Sequence, residues 1–268
     1  MLRGVGARRR GLRLNGRSAR GLAGVMLALG WLASACTPQP APTIPPATLR
    51  VVATDLASPL LADLVEAYAA VQPHTPLLAA TTSLSAIEAE VTAGRADLAL
   101  TTTYSAGQYA TPLGYVVLLV VVHPANALNQ LSEAQIREVF SGRVSDWAQV
   151  GGPAGPIQVV CREDHSDGAE AFSRLALDGA LPTLNALVAP SWAAMRAAVS
   201  QNPAAIGYLP GPELDAGVRS ITLEQPMRAL IVAVAPQALA GASRDFLAWA
   251  QSEAGQEVVA QKYEAVRP

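Results

Sequence analysis

The sequence predicts an α/β fold made of two Rossmann-like lobes that are joined by extended crossover segments. From residue 48 onwards, strand-like and helix-like segments alternate, an order typical of parallel sheet covered by helices. Residues 113–122 form an unbroken apolar run, which fits a strand buried on both faces better than a membrane span of about 20 residues. The folded part, from about residue 49 to residue 268, is long enough for one large domain or two small lobes.

The first half of this folded part follows a β-α-β-α order. Residues 48–53 form a short β-type run, and Ser58 is the expected N-cap of a helix that has Pro59 at its first position. We expect a strand near residues 76–80, a helix around 85–93 and a strand at 96–100. The first helix carries apolar side chains at helical spacing, namely Leu60, Leu61, Leu64, Val65 and Tyr68.

The second half continues with a helix that opens on a capping box formed by Ser132 and Gln135. The apolar face of this helix is expected to carry Ile136, Val139 and Phe140. Further expected elements are a strand at 157–161, helices at 168–177 and 191–200, a strand at 205–209, a strand at 229–234, and helices near 243–251 and 253–262. The last three elements return the chain to the first lobe.

The N-terminus has the features of a secretory signal peptide covering residues 1–35. This segment holds seven arginines and no acid, an apolar stretch over residues 22–32, and small residues before Cys36. Residues 32–36 resemble a bacterial lipobox, which implies that Cys36 becomes the lipid-bearing first residue of the mature protein. The alternatives are ordinary secretion with cleavage nearby, and twin-arginine export through Arg9 and Arg10.

The composition after the leader limits the classes of partner. Residues 36–47 are expected to form a tether, because a stretch with five prolines and no charge cannot form a core. Without the leader, 12 basic residues remain against 21 acidic ones, so the mature chain carries a charge of about −9. Such a chain is a poor partner for nucleic acid. The remaining cysteine, Cys161, lies in a β-type run and is expected to be a core residue.

The strongest candidate site follows the strand that ends near Arg162. Ser166 and Gly168 form a polar turn before a helix, whose free backbone N–H groups would face the carboxyl edge of the sheet, where open α/β sheets bind anions. Arg162 can add a bidentate fork to an oxyanion. The alternative is that Ser166 is only an N-cap, and that Arg162 is a surface residue paired with Glu163 or Asp164.

Two further strand-to-helix turns are similar to this one. They cover residues 53–59 and 80–85, and both present hydroxyls and backbone amides before a helix, while threonines 101–103 end the strand that follows. Taken singly, each turn is more typical of a helix cap. Together with Arg162, they predict an anion cradle.

Signals of catalysis and of metal binding are weak by comparison. His74, His123 and His165 lack a spacing typical of metal ligands, and no P-loop, dinucleotide fingerprint or nucleophile elbow occurs. His165 and Ser166 are adjacent, but neighbours in sequence rarely point at each other as base and nucleophile. We therefore expect a binding protein without cofactor or metal, and not an enzyme.

Several segments of the mature chain resemble the phosphate-type substrate-binding lipoproteins of ABC transporters. They are residues 131–142 with Asp146, Trp147 and Gly151; Arg162, Ser166 and Phe172; residues 94–97 and 205–208; and residues 246–263. The resemblance implies the type II periplasmic-binding-protein fold, with a ligand cleft between lobe I, residues 48–111 plus 211–268, and lobe II, residues 112–210. It also implies a membrane permease as partner and a monomeric protein.

The resemblance further implies a set of ligand-binding residues. Arg162 and Ser166 stand at the family's anion-binding positions, and Asp167 and Gly168 follow them. The family's first binding loop corresponds to Thr54, Asp55 and Leu56, and its second binding loop to Ser83 or Ser85. The end of the following strand corresponds to Thr102.

The same site departs from the family pattern in its acids. Asp167 and Gly168 replace a glycine and a threonine, and Asp55 stands where a hydroxyl residue is common. One buried carboxylate can accept the proton of hydrogen phosphate, whereas two would be costly beside a dianion. Either one acid points outward, or the ligand is not phosphate.

The sequence thus predicts an extracytoplasmic, lipid-anchored solute-binding protein of an ABC importer. It would bind phosphate or a related small oxyanion and deliver it to the permease. The alternative is a sensor of the same fold, or a binder of a different small ligand, that is not coupled to import.

Overall fold

The computed structural model describes residues 48–236 and 238–266, and residues 45–268 form a compact unit of their own. The predicted signal peptide at 1–35, the lipidation site at Cys36 and the tether at 36–47 lie outside the described residues. Within the described ranges, no helix combines the length and the apolar character needed to cross a bilayer.

The described chain alternates strands and helices as predicted. The strands are β1 (Leu49–Ala53), β2 (Leu77–Thr81), β3 (Leu98–Thr101), β4 (Tyr109–Val122), β5 (Gln130–Leu131), β6 (Gln158–Arg162), β7 (Leu187–Ala189), β8 (Ala205–Pro210), β9 (Arg219–Ser220), β10 (Thr222–Leu223), β11 (Met227–Ala235) and β12 (Glu264–Ala265). The helices are α1 (Ser58–Val71), α2 (Leu84–Thr92), α3 (Glu133–Phe140), α4 (Asp167–Ala176), α5 (Trp192–Gln201), α6 (Gly241–Ala250) and α7 (Glu253–Ala260). Every α-helix and every strand longer than three residues overlaps a predicted element.

Most strands belong to one mixed sheet. Its order is β2-β1-β3-β11-β4-β8-β6-β7, and β9 and β12 also pair with β4. Strand β1 is parallel to β2 and β3, and β6 is parallel to β7 and β8, whereas β11 and β4 run antiparallel to their neighbours in this order. The predicted α/β class is therefore confirmed, with parallel strands towards both ends of the sheet.

Strand β4 connects the two ends of this sheet. Its residues 109–118 pair with β11, and its residues 118–122 pair with β8. The strand is buried along much of its length, which confirms the prediction for residues 113–122. Gly114 lets α7 lie close, because a Cβ at this position would come within 2.6 Å of Val259. The division into lobes at residues 48–111 plus 211–268 and 112–210 stays a prediction.

Helix α1 begins differently from the predicted pattern. Its N-cap is Ala57 and Ser58 is already helical, so the prediction of Ser58 as N-cap is wrong. The hydroxyl of Ser58 donates to the carbonyl oxygen of Asp55 at 3.4 Å and caps no amide in the described structure. Pro59 still fits the first turn, because its nitrogen has no hydrogen that needs an acceptor.

Helix α3 has the predicted capping box. The hydroxyl oxygen of Ser132 accepts from the backbone N–H of Gln135 at 3.2 Å, and the side-chain oxygen of Gln135 accepts from the backbone N–H of Ser132 at 2.9 Å. Two backbone donors that no helical carbonyl can reach are thereby satisfied. The predicted apolar face is buried.

Cys161 is a core residue, as predicted. Its side chain is buried in β6 and forms no disulfide. Burial, with a smaller contribution from the charge of Asp164, raises the pKa of its thiol to about 12. The reactive thiolate is therefore scarce at neutral pH.

Candidate functional site

The candidate site lies where the carboxyl ends of β1 and β3 meet the carboxyl end of β6. Strand β6 runs opposite to β1 and β3, and the two groups of strands are displaced along β4, which pairs with β11 through residues 109–118 and with β8 through residues 118–122. The carboxyl ends of β1 and β3 therefore face the carboxyl end of β6 across the polar turns that follow them. Side chains from the turn after β6 contact side chains from the turns after β1 and β3. The site is thus assembled through contacts between residues 65 and 113 positions apart in sequence.

Arg162 is the cation of this site, and only 5 % of its side chain is exposed. Its Nη1 donates to the carbonyl oxygen of Ala189 at 2.6 Å, and its Nη2 lies 2.5 Å from Oδ2 of Asp55. The acidic partner is therefore Asp55 and not Glu163 or Asp164. The Nε atom is buried and has no hydrogen-bond partner among the described residues.

Aromatic side chains hold Arg162 in place. Its guanidinium carbon lies 4.7 Å from the centre of the Trp192 ring, a distance that allows a cation–π interaction. The phenolic oxygen of Tyr208 accepts from the backbone N–H of Arg162 at 3.1 Å, and the ring of Tyr208 stacks on Phe172 at 3.9 Å. Both the backbone and the side chain of Arg162 are thereby fixed.

Gly168 makes room for this aromatic contact. A Cβ at this position would lie 2.2 Å from Cη2 of Trp192, far inside van der Waals contact. The indole therefore occupies the volume that a larger side chain at position 168 would need. The predicted binding residue Gly168 supports the placement of Trp192 over Arg162.

Asp167 points into the site, since only 1 % of it is exposed. Its Oδ2 accepts a hydrogen bond from the Thr54 hydroxyl, and its Oδ1 accepts one from the Thr102 hydroxyl. Burial raises the pKa of this carboxyl above its ordinary value, the hydrogen bonds from Thr102 and Thr54 oppose that rise, and the charge of Asp55 adds to it.

Both acids singled out in the sequence therefore belong to the site. Asp55 is paired with Arg162, and Asp167 is buried against hydroxyls, so neither points away. The ion pair offsets one negative charge, and the raised pKa of Asp167 disfavours the other. The choice set out from the sequence, one acid pointing outward or a ligand other than phosphate, was therefore incomplete, because an ion pair and a raised pKa reduce the repulsion that two free carboxylates would exert on an anion.

Ser166 prepares the positive end of α4. It is the N-cap of this ten-residue helix, and its hydroxyl oxygen accepts from the backbone N–H of Ala169 at 3.2 Å. The backbone N–H groups of the first turn and the helix dipole both favour an anion at this end.

The other predicted positions lie further from these contacts. Ser83 and Ser85 are exposed and hydrogen-bond each other at 3.1 Å, and in the described structure neither bonds to Arg162 or Asp167. The side chain of Leu56 is buried in the core, so only its backbone is available to a ligand.

Trp192 and Tyr208 were not assigned to the site from the sequence. Tyr208 belongs to the segment 205–208, which carried part of the resemblance, but nothing in that segment shows that its hydroxyl contacts the backbone of Arg162. Trp192 follows the N-cap Ser191 and reads as an ordinary first helical residue. The glycine at position 168 was the one available signal of a close approach.

The groups at the site are able to bind an anion noncovalently. They combine a guanidinium, two hydroxyls and the start of a helix, all buried or half-buried. No group of three or more histidine, cysteine, aspartate or glutamate side chains is arranged to hold a metal within the part of the chain that the structure describes.

Comparisons with known proteins agree with this architecture. Residues 39–222 match the family model of the PBP superfamily domain. The phosphate-binding protein PstS of Bacillus subtilis (strain 168) is 30 % identical over 94 residues, which are 35 % of this chain and 31 % of that protein. The match therefore spans less than a third of that relative.

Two solved structures are similar over most of the chain. One is assigned as a phosphate ABC transporter substrate-binding protein with bound phosphate, from Clostridium perfringens; it is 20 % identical with a TM-score of 0.75, covering 82 % of this chain and 99 % of that one. The other is an ABC-type phosphate transport receptor from Vibrio cholerae, 22 % identical with a TM-score of 0.70, covering 81 % and 99 %. At these identities the likeness shows a shared fold.

Proposed function

Because this chain belongs to the PBP superfamily and has the type II periplasmic-binding-protein fold, we propose that it is an extracytoplasmic solute-binding protein of an ABC importer. Its ligand is a small oxyanion, with phosphate as the first candidate, and it delivers that ligand to a membrane permease. It acts by binding and not by catalysis.

The observation that carries this proposal is the buried guanidinium of Arg162 at the start of α4. A buried charge is retained at a large desolvation cost unless partners compensate it, and Asp55 compensates only part of this fork. The unpartnered Nε atom is a donor that an oxyanion could use. The names of the relative and of both solved structures point to phosphate.

The proposed ligand-binding set follows the sequence analysis. Arg162, Ser166 and the first turn of α4 supply donors from one side, and the turns after β1 and β3 supply Thr54 and Thr102 from the other. Backbone groups of Asp55 and Leu56 and the hydroxyls of Ser83 and Ser85 complete the set in the proposal. The two sides belong to lobe I and lobe II, whose closure on the ligand would be recognised by the permease.

Titration calorimetry with phosphate, sulfate and molybdate tests the proposed function. We expect Arg162→Ala to weaken binding more than about a hundredfold, because removing one partner of a desolvated charge pair costs about 3–5 kcal/mol. The affinity of Arg162→Lys should lie between those of wild type and Arg162→Ala, since lysine keeps the positive charge but lacks the two-pronged guanidinium.

Arg244→Ala is the matched control, because it removes an equal charge from an exposed position on α6. Its affinity should stay within about twofold of wild type, since exposed charges are screened. If wild type binds none of the three anions, the proposed function is wrong.

A further inference from the structure

The hydroxyls expected to hold the ligand are already engaged by an internal carboxylate. Oδ2 of Asp167 accepts from Thr54, and Oδ1 accepts from Thr102. All three residues are buried, with 1 %, 0 % and 7 % of Asp167, Thr54 and Thr102 exposed. Each oxygen of one carboxylate thus has its own hydroxyl donor, as the oxygens of a bound oxyanion would have.

A free oxyanion and Asp167 cannot both use these donors. A threonine hydroxyl carries a single hydrogen, so it donates to one acceptor at a time. The two hydroxyls come from the turns after β1 and β3, whereas Asp167 comes from the first turn of α4, on the side of Arg162. The carboxylate therefore bridges the two sides at the position proposed for the ligand.

The side chain of Asp167 is not needed for the helix that carries it. The N-cap of α4 is Ser166, whose hydroxyl satisfies the amide of Ala169. The carboxylate reaches away from the helix to Thr54 and Thr102, and burial raises its pKa. A role across the site explains this side chain better than a capping role does.

The site also holds more donors than its two acids satisfy. Nε of Arg162 and Nε1 of Trp192 are buried without a hydrogen-bond partner in the described part of the chain, and the two side chains are in contact. Buried donors without acceptors are costly. An oxyanion that entered between Arg162 and the two threonine hydroxyls would bring more acceptor oxygens to the site than the single carboxylate of Asp167 does.

We propose that the carboxylate of Asp167 is an internal competitor for the oxyanion site, which an incoming oxyanion displaces from Thr54 and Thr102. This inference rests on the proposed function of the same site. Because the carboxylate has to leave first, the apparent affinity for the oxyanion is the intrinsic affinity multiplied by the fraction of unliganded molecules in which the two hydroxyls are free. Asp167 therefore influences which anions bind. An anion enters only if its binding free energy with Arg162 and the N-terminus of α4 exceeds the free energy that the carboxylate gains from the two hydroxyls.

Calorimetric titration of inorganic phosphate into wild type and two Asp167 variants tests the proposal. In Asp167→Gly both hydroxyls are free and one negative charge is gone, so we expect binding about tenfold tighter or better. Asp167→Asn keeps the volume and removes the charge, so its affinity should lie between those of wild type and Asp167→Gly. Circular dichroism shows whether Asp167→Gly is folded. If it is not, Asp167→Asn alone is compared with wild type.

Asp164→Asn is the matched control, because it removes one carboxylate from an exposed position in the same turn. Its affinity should stay within about twofold of wild type. If wild type binds phosphate and both Asp167 variants bind it equally well or more weakly, the internal competitor is refuted and the proposed function stands. If wild type binds none of phosphate, sulfate and molybdate, the proposed function is wrong and the internal competitor, which rests on it, fails with it.

Discussion

At the scale of single residues, one cation and two acids lie close together in the site, and their charges influence one another. Arg162 pairs with Asp55, while Asp167 accepts from the hydroxyls of Thr54 and Thr102 and lies close enough to Asp55 to be affected by its charge. Burial is the largest influence on the pKa of Asp167 and raises it. The folded protein therefore holds this proton more tightly than the unfolded chain does.

This coupling predicts how Asp167→Asn changes stability with pH. A raised pKa contributes stability in acid, and that contribution is lost as the pH rises from the ordinary value of 3.8 towards the raised one. Asparagine does not titrate, so the stability of the variant relative to wild type should increase between pH 4 and pH 7. Urea unfolding at several pH values measures it; a relative stability that stays constant or decreases over this range would contradict the raised pKa.

The strand ends and helix starts that carry the candidate residues were predictable from the sequence, but the contacts between those residues were not. Arg162, Ser166 and the turns after two strands stand out because strand ends and helix starts can be located from local pattern. The contact between Thr54 and Asp167 joins residues 113 positions apart, and no local pattern encodes such a pair. The direction of Asp167, which decides how the site treats an anion, therefore needed the structure.

At the scale of elements, the local sequence pattern located those helices and strands that are long or that begin with a specific capping motif. The capping box of α3 and the apolar run of β4 were both located correctly. The strands β5, β7, β9, β10 and β12 were not predicted, since two or three residues show no periodicity and pair only because a partner strand is present. The cap of α1 was misplaced by one residue, within the usual uncertainty of helix ends.

The caps of α2 and α3 provide a matched pair of substitutions. Ser132→Ala removes a hydroxyl that bonds the amide of Gln135 and should cost about 1 kcal/mol of folding stability. Ser83 is the N-cap of α2 but makes no side-chain capping bond, so Ser83→Ala should cost clearly less. Chemical denaturation measures the free energy of unfolding of both variants. Equal losses of stability would show that the two caps do not differ as the structure describes.

At the scale of the whole molecule, we propose that an exported leader and a tether precede the binding unit. The unit at residues 45–268 has the fold of the solved substrate-binding proteins to which it is similar. Residues 36–268 contain 12 basic and 21 acidic side chains, which is not the basic composition typical of nucleic-acid-binding proteins. We propose that lipid attachment at Cys36, expected from the sequence, keeps the binding unit near the permease.

Lipid attachment predicts where the protein is found after cell fractionation. Cys36→Ala should move the protein from the membrane fraction to the soluble fraction, because the acyl chains supply the membrane affinity. Cys161→Ala is the control, since Cys161 is buried in β6 and should not affect anchoring. A Cys36→Ala protein that stays with the membrane would contradict the anchor.

Anomalous diffraction from crystals grown with arsenate shows whether Arg162 and the start of α4 hold an oxyanion. Arsenate has the shape and charge of phosphate, and its arsenic atom can be located without a model of the ligand. We expect one strong anomalous peak within about 4 Å of the Arg162 guanidinium, at hydrogen-bonding distance for its oxygens. The account is contradicted if arsenic appears only elsewhere, or nowhere, while Arg162 remains paired with Asp55.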